Sequence, residues 1–352
     1  MSNKSMRIAF SLIIILTVEL VFFVLALAAG GFGALFKLGF RSLFMKTLWV
    51  LAFPPVLIVC GMLFWRNDYY VRSVELTSEK IPATFADYRI VQISDLHLQS
   101  YRLNERSLRK MVSMVNELEP DLILFTGDLV TLSLSELNGM EDILRGLRAK
   151  EGICSILGNH DYFYMEVGKD TALVPSYIEE LLSRERGLGW TPLKDENVNI
   201  SRGQDTISIV GVQNTSDSKH FPSKGDLGKA LEGATGSYKI LMSHDPSHWR
   251  MEVADDPRID IMISGHTHEA QARIFGLSPA AIMYREHNGL YSGPGHEGEY
   301  RAVNALVHTE HRPSQNLLYV NIGLGETGLP SRIGARPEIT LFTLVPPGLN
   351  KL

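Results

Sequence analysis

The 352-residue chain has only two cysteines, no excess of basic charge and no histidine before residue 97. Cys60 lies in an apolar run and Cys154 in an expected strand, with no second cysteine near either, which excludes a disulfide framework and a thiolate metal site. The formal net charge of -5 leaves no basic face for nucleic acid, so no nucleic-acid partner is expected. Internal repeats and low-complexity tracts are also missing. An apolar fraction of 45% and a charged fraction of 21% exclude a disordered chain. The length suits one large domain with additions, or two ordinary domains.

Residues 1–70 differ in kind from the rest. Ile8 to Ala29 is almost wholly apolar, with Glu19 its one charge. As a helix it measures about 33 Å, enough for a hydrocarbon core of ~30 Å. A glycine-rich linker follows, and Leu48 to Trp65 then runs without charge, interrupted by Pro54-Pro55. Trp49 and Trp65 stand near its ends, where interfacial aromatics collect. Two transmembrane helices, at about 8–29 and 48–65, are therefore expected ahead of a catalytic domain spanning 71–352. A cleaved leader ending at Ala26-Leu27-Ala28 is the alternative, but its apolar core is too long and a second run follows it. Lys4, Arg7, Arg66 and Arg72 against Lys37, Arg41 and Lys46 lean towards a cytoplasmic catalytic domain at the cell membrane.

Beyond residue 70, short apolar runs alternate with helical spacing, an α/β pattern. Strands are expected at 89–94, 122–126, 153–157, 207–212, 240–243 and 259–264. A helix is expected over 104–118, where Leu108, Met111, Val112, Val115 and Leu118 share one face. Phe275 to Asn316 is rich in Gly and His and reads as an irregular insertion. Its His287, His296, His308 and His311 suit a solvated loop better than a substrate lid.

Five of these runs end in residues that bind cations. Ser94-Asp95-Leu96-His97 follows the first, Gly127-Asp128 the second and Gly158-Asn159-His160-Asp161 the third. His244 and Gly265-His266-Thr267-His268 follow two later ones. Singly, an Asp after a strand is commonly a helix cap and a His an ordinary surface or core residue. Together, at strand ends where α/β ligand sites gather, they point to one polar centre. Five of the eleven histidines lie inside these motifs.

The order D-x-H, G-D, G-N-H-D, H, G-H-x-H resembles the calcineurin-like metallophosphoesterases over about residues 88–344. The resemblance implies a four-layer α-β-β-α sandwich with a dinuclear metal site. One ion would be held by Asp95, His97, Asp128 and His268, and the other by Asp128, Asn159, His244 and His266. Asp128 would bridge them. Carboxylate, imidazole and amide donors suit manganese, iron or zinc, with manganese favoured. His160 matches the non-ligand histidine that stabilises the transition state or protonates the leaving oxygen, and Asp161 would orient its imidazole.

Residues 319–343 also resemble the closing block of bacterial membrane-anchored metallophosphoesterases, some of which cleave UDP-diacylglucosamine during lipid A synthesis. This chain has Ile322 where such relatives often carry arginine. Three function classes follow: hydrolysis of a phosphodiester or pyrophosphate on a lipid-linked substrate, phosphomonoester or protein-phosphate hydrolysis, and a non-catalytic metal-binding scaffold. The scaffold is disfavoured because every motif position holds a residue able to do the chemistry. The apolar stretch Phe275 to Met283 is the candidate lipid surface, with ordinary core packing as its alternative.

Overall fold

A computed structural model describes residues 53–162, 171–292, 301–303 and 316–348, with 19–21, 23–28 and 31. Two β-sheets lie face to face. The first has strands β1 (Tyr70–Thr77), β2 (Tyr88–Ile93), β3 (Leu122–Phe125), β4 (Ile153–Ser155), β5 (Thr191–Pro192) and β13 (Glu338–Val345), in the order β1-β13-β2-β3-β4-β5. The second has β6 (Glu196–Arg202), β7 (Asp205–Gly211), β8 (Tyr238–Met242), β9 (Ile261–Ser264), β10 (Gly289–Ser292), β11 (Arg301–Val303) and β12 (Leu317–Val320), in the order β11-β10-β12-β9-β8-β7-β6. Each sheet contains a run of four parallel strands: β2, β3, β4 and β5 in one, β7, β8, β9 and β12 in the other.

Side-chain alternation explains the layering. Ile90, Leu122, Leu124, Ile209, Ile240, Met242, Ile261 and Ile263 point between the sheets and form one core. Their neighbours Val91, Ile93, Ile123 and Phe125 point the other way, onto two helices. Strands buried on both faces read as continuous apolar runs, which is why they are visible in the sequence. The outer face of the second sheet packs Val210, Leu241, Met262 and Val320 against Trp249 and Val253. The result is the expected α-β-β-α order.

Helix α2 (Glu105–Glu117) shows how sequence sets one outer layer. Asn104 caps it by accepting from Ser107 N–H at 3.3 Å. Leu108, Met111, Val112 and Val115 repeat at helical spacing and are buried. Each such side chain stabilises the fold by roughly 1.5–3 kcal/mol, so a charge at Leu108 would detach the helix. Helix α3 (Val174–Gly187) buries Ile178, Leu181 and Leu182 against the same sheet.

Two expectations change. The described part of Phe275–Asn316 is not an irregular insertion, because β10 and β11 extend the second sheet by antiparallel pairing with β12 and with each other. Their shortness and intervening polar residues hide them from periodicity. Expected span 8–29 lies largely, and 48–52 of the second span wholly, outside the described residues. Among the described residues no helix is long and apolar enough to cross a membrane. Helix α1 (Phe53–Cys60), eight residues, runs into five π-helical residues, Gly61–Trp65. This helix ends on the catalytic domain, where Arg66 pairs with Glu326 at 2.8 Å.

Candidate metal centre

The C-terminal ends of β2, β3, β4, β8 and β9 come together along one border of the paired sheets. Gln92 ties the sheets there, donating to Thr126 Oγ1 at 3.0 Å and to Ser264 O at 2.9 Å across the interface. The turns approach so closely that Cβ atoms are excluded. A Cβ on Gly127 would lie 2.5 Å from Gly158 N, and one on Gly265 would lie 2.3 Å from Asp95 Oδ2. These glycines let backbone meet backbone where the polar side chains converge.

All seven expected ligands meet there and are buried. His268 Nε2 stands 3.2 Å from Asp95 Oδ1 and 3.1 Å from His97 Nε2. Asp128 Oδ2 lies between the halves of the centre, 3.5 Å from His97 Nε2 and 3.2 Å from His244 Nε2. Asn159 Oδ1 completes the second half, 2.8 Å from His266 Nδ1 and 3.2 Å from His244 Nε2. Asp95, His97 and His268 form one cluster of potential metal donors, Asp128, His244 and His266 another, and His97 and Asp128 also group with His160.

The donor set fits a pair of divalent cations. Ligands held ~2.0–2.2 Å from a common ion stand about 2.8–3.6 Å from one another, and the spacings above fall in that range. His244 Nδ1 meets Thr126 O at 2.7 Å, which fixes its N–H there and turns the Nε2 lone pair inwards. Five of the expected ligands, Asp95, His97, Asp128, His266 and His268, have positive φ, between 43° and 73°. Such conformations cost of order 1–3 kcal/mol each in non-glycine residues and concentrate where function holds them.

The electrostatics agree. Burial would raise Asp95, but the His268 and His244 imidazoles outweigh it and hold the carboxyl far below its ordinary range. Asp128 is likewise lowered, with His244 and His160 overcoming burial. Burial disfavours the His244 cation, yet the charges of Asp128 and Asp95 pull its pKa up to about 10. The pocket thus favours two carboxylate anions beside a cationic His244, while burial holds the His97 and His266 imidazoles below their ordinary value.

His160 is the half-buried member on the rim. Its Nδ1 meets Thr131 O at 2.9 Å, and its ring stands edge-on to His97 at 4.9 Å. Asp161 does not orient this imidazole, contrary to the sequence reading. Its carboxylate accepts N–H bonds from Asp128, Leu129, Val130 and Gly158 at 2.8–3.2 Å. It braces the two turns that carry Asp128 and Asn159, and it is adjacent to His160 only in sequence. Burial and the nearby Asp128 charge push its pKa well up.

Four contributors escaped the sequence reading. Glu136 accepts N–H bonds from Gln99, Thr131, Leu132 and Ser133 at 2.7–3.2 Å. It thereby holds Thr131, whose carbonyl positions His160 and whose Oγ1 lies 3.3 Å from His97 Nδ1. The Ser133-Leu134-Ser135-Glu136 capping-box pattern was its available signal. Arg332, wholly buried, donates to the carbonyls of Ile322, Gly325 and Ala335 and lies 3.3 Å from His268 Nδ1. Ile322 is buried too, and its carbonyl anchors that guanidinium. Asp245 Oδ2 and Tyr284 OH approach His266 Nε2 at 3.7 and 3.4 Å.

A family model described as "Calcineurin-like phosphoesterase" matches residues 88–270. The chain is 31% identical over 304 residues to "Transmembrane protein with metallophosphoesterase domain" of Danio rerio, covering 86% of this chain and 63% of that protein. Identity to the protein of that name in Bos taurus is 30% over 313 residues, with the same coverage of 86% and 63%. The chain therefore spans somewhat under two thirds of these relatives' length. It is also 29% identical over 289 residues to "Uncharacterized metallophosphoesterase YkuE" of Bacillus subtilis, covering 81% of this chain and 89% of that one. With the motif order, the two-sheet fold and the converging donors, the match over residues 88–270 establishes that the chain belongs to the calcineurin-like phosphoesterase family.

Proposed function

We propose that the protein hydrolyses a phosphodiester or pyrophosphate bond with two divalent metal ions, on a lipid-linked substrate at a membrane. The observation that carries the reading is Asp128, whose carboxylate faces donors of both halves at 3.5 and 3.2 Å. Asp95, His97, Asp128 and His268 would hold one ion, and Asp128, Asn159, His244 and His266 the other. When bound, such a pair supplies Lewis acidity for phosphate oxygens and a nucleophilic water near neutral pH. Manganese suits this mixture of oxygen and nitrogen donors, as iron or zinc would.

His160 is assigned to the leaving group. With Nδ1 on Thr131 O, its Nε2 is the ring nitrogen left to meet the departing oxygen, which the imidazolium form would protonate. Its rim position lets it meet a substrate that the buried ligands reach only from below. Asp161 and Glu136 contribute rigidity, each fixing a turn through backbone N–H groups.

Membrane association is supported by the apolar runs at 8–29 and 48–65 and by the word "transmembrane" in the names of two relatives. Tethering confines the site beside lipid head groups. UDP-diacylglucosamine-type compounds are first candidates, because an acyl chain adds ~0.8 kcal/mol of affinity per buried CH₂. A panel of mono-, di- and pyrophosphate esters, each lipid-linked compound paired with its deacylated form in mixed micelles, tests the reading. Higher kcat/KM for lipid-linked diesters or pyrophosphates is expected. Equal or better use of soluble compounds would remove the lipid part, and activity without added divalent metal after chelation would remove the metal part.

A further inference from the structure

The segment after the GHTH motif combines strain with exposure. Ile274 and Leu277 exchange N–H···O bonds at 2.9 and 3.0 Å, closing a tight turn with Phe275 and Gly276 at its tip. Both tip residues have positive φ, 51° and 81°. Asn, Asp or Gly normally fills such a turn. Here a phenylalanine sits at the first position, 100% exposed and in a strained backbone. The short helix Ala280–Met283 follows, and its Ile282 is 91% exposed. Leu277 and Met283 are largely exposed as well. An apolar tip on a rigid turn costs free energy in water and calls for an apolar partner.

A second exposed apolar surface belongs to α1 and its π-helical extension, through Val56, Val59, Leu63 and Phe64. Both surfaces are fastened to one stretch, residues 329–334. On one side Ser331 Oγ donates to Ile58 O at 3.0 Å, and Gly61 sits so close that a Cβ would fall 2.1 Å from that oxygen. On the other side Gln271 Nε2 donates to Leu329 O and Ser331 O, and Arg273 N–H donates to Ile333 O at 2.7 Å. A cleft of about 370 Å³ opens beside this stretch, with His266 and His268 at one end and Leu329, Ile333 and Met283 along its wall.

We infer that Ile274–Met283 dips into the lipid bilayer beside the α1 helix, so that the cleft opens from the membrane surface onto the metal centre. This rests on the membrane reading above and adds its contact surface. Lipid is favoured over a protein partner because α1 closes the charge-free run Leu48–Trp65 and shares its anchoring stretch with the turn. An aromatic and aliphatic tip is the composition that enters the boundary between head groups and acyl chains.

The test uses the full chain in phosphatidylcholine–phosphatidylglycerol vesicles, with an environment-sensitive fluorophore on Phe275→Cys in a Cys60→Ser background. Cys154 stays unlabelled, being buried with its thiol pushed up to about 12. A matched label at Gln204→Cys is the control, at the start of β7 and hence at the far end of the sheet from His244. Blue-shifted emission at 275, with quenching by nitroxide lipids at least about twofold stronger than at 204, is expected for a site ~5–10 Å inside the boundary. Equal quenching at the two sites in protein that floats with vesicles would overturn the loop assignment and leave membrane association intact. Failure of the chain to float would sink both. Ready disulfide formation between Phe275→Cys chains would assign the surface to a second copy and contradict a lipid partner. Unchanged turnover of a soluble aryl phosphodiester confirms that each labelled chain is folded.

Discussion

The turns at the strand ends bury charge, while the turn at Phe275 exposes hydrocarbon. The first region places Asp95, Asp128 and four imidazoles almost out of water. The second places a phenylalanine and several aliphatics almost wholly in it. Both use residues held at positive φ, so neither is a relaxed surface loop. Each reverses the ordinary burial pattern, and the proposed function gives each a partner outside the polypeptide: divalent cations in one case, lipid in the other. The two regions join at the second sheet, since β9 leads into His266 and His268 and the same stretch continues to the turn.

The comparison breaks most visibly at Asp128. Asp128→Asn is expected to abolish turnover of a bis-aryl phosphodiester, because its carboxylate faces both donor groups. Steady-state kinetics with saturating manganese check this, and near wild-type turnover would remove the bridging role. His160→Ala should keep its metals and lose ~10²–10⁴ in rate, the usual worth of a positioned acid. The loss should shrink for substrates with good leaving groups, and an empty metal site in this variant would make His160 a ligand.

Smaller effects sharpen the distinction between site and scaffold. Glu136→Ala strands four backbone N–H groups and should destabilise the fold by roughly 2–5 kcal/mol in chemical denaturation, with Glu136→Gln milder. Glu185, wholly buried on α3, accepts from Ser155 Oγ at 2.6 Å, and burial pushes its pKa from 4.5 to about 7. The folded state therefore holds a proton that the unfolded state has lost between those values. Its stabilising effect is complete below the unfolded value and disappears as pH rises through about 7. Glu185→Gln should gain roughly 1–3 kcal/mol at pH 8 and nearly nothing at pH 4. A gain independent of pH would mean that the Glu185 carboxylate is not the cause.

What the sequence displayed was whatever lay local to a strand. Leu122–Phe125 announces itself by four consecutive apolar residues, and Gly127-Asp128 follows at once. The convergence of the seven expected ligands was legible for that reason. Asp161 was misread because three of its four partners are backbone N–H groups 31–33 residues away, which no side-chain pattern reveals. Arg332 was invisible for the same cause, since carbonyls of its own loop satisfy most of its guanidinium. The strands β10 and β11 are four and three residues long, too short for alternation to register. The exposed turn at Phe275 was noticed as an apolar run, but only its backbone shows that the phenylalanine is held outward.

The most direct measurement is electron paramagnetic resonance of the manganese-loaded protein, with metal content determined on the same sample. Two manganese ions per chain are expected, giving the multiline spectrum of an exchange-coupled pair because Asp128 faces both sites. Asp128→Asn should lose that coupling along with most of its metal. A single ion per chain, two uncoupled ions in the wild type, or an unaltered coupled pair in Asp128→Asn would contradict the bridged dinuclear centre.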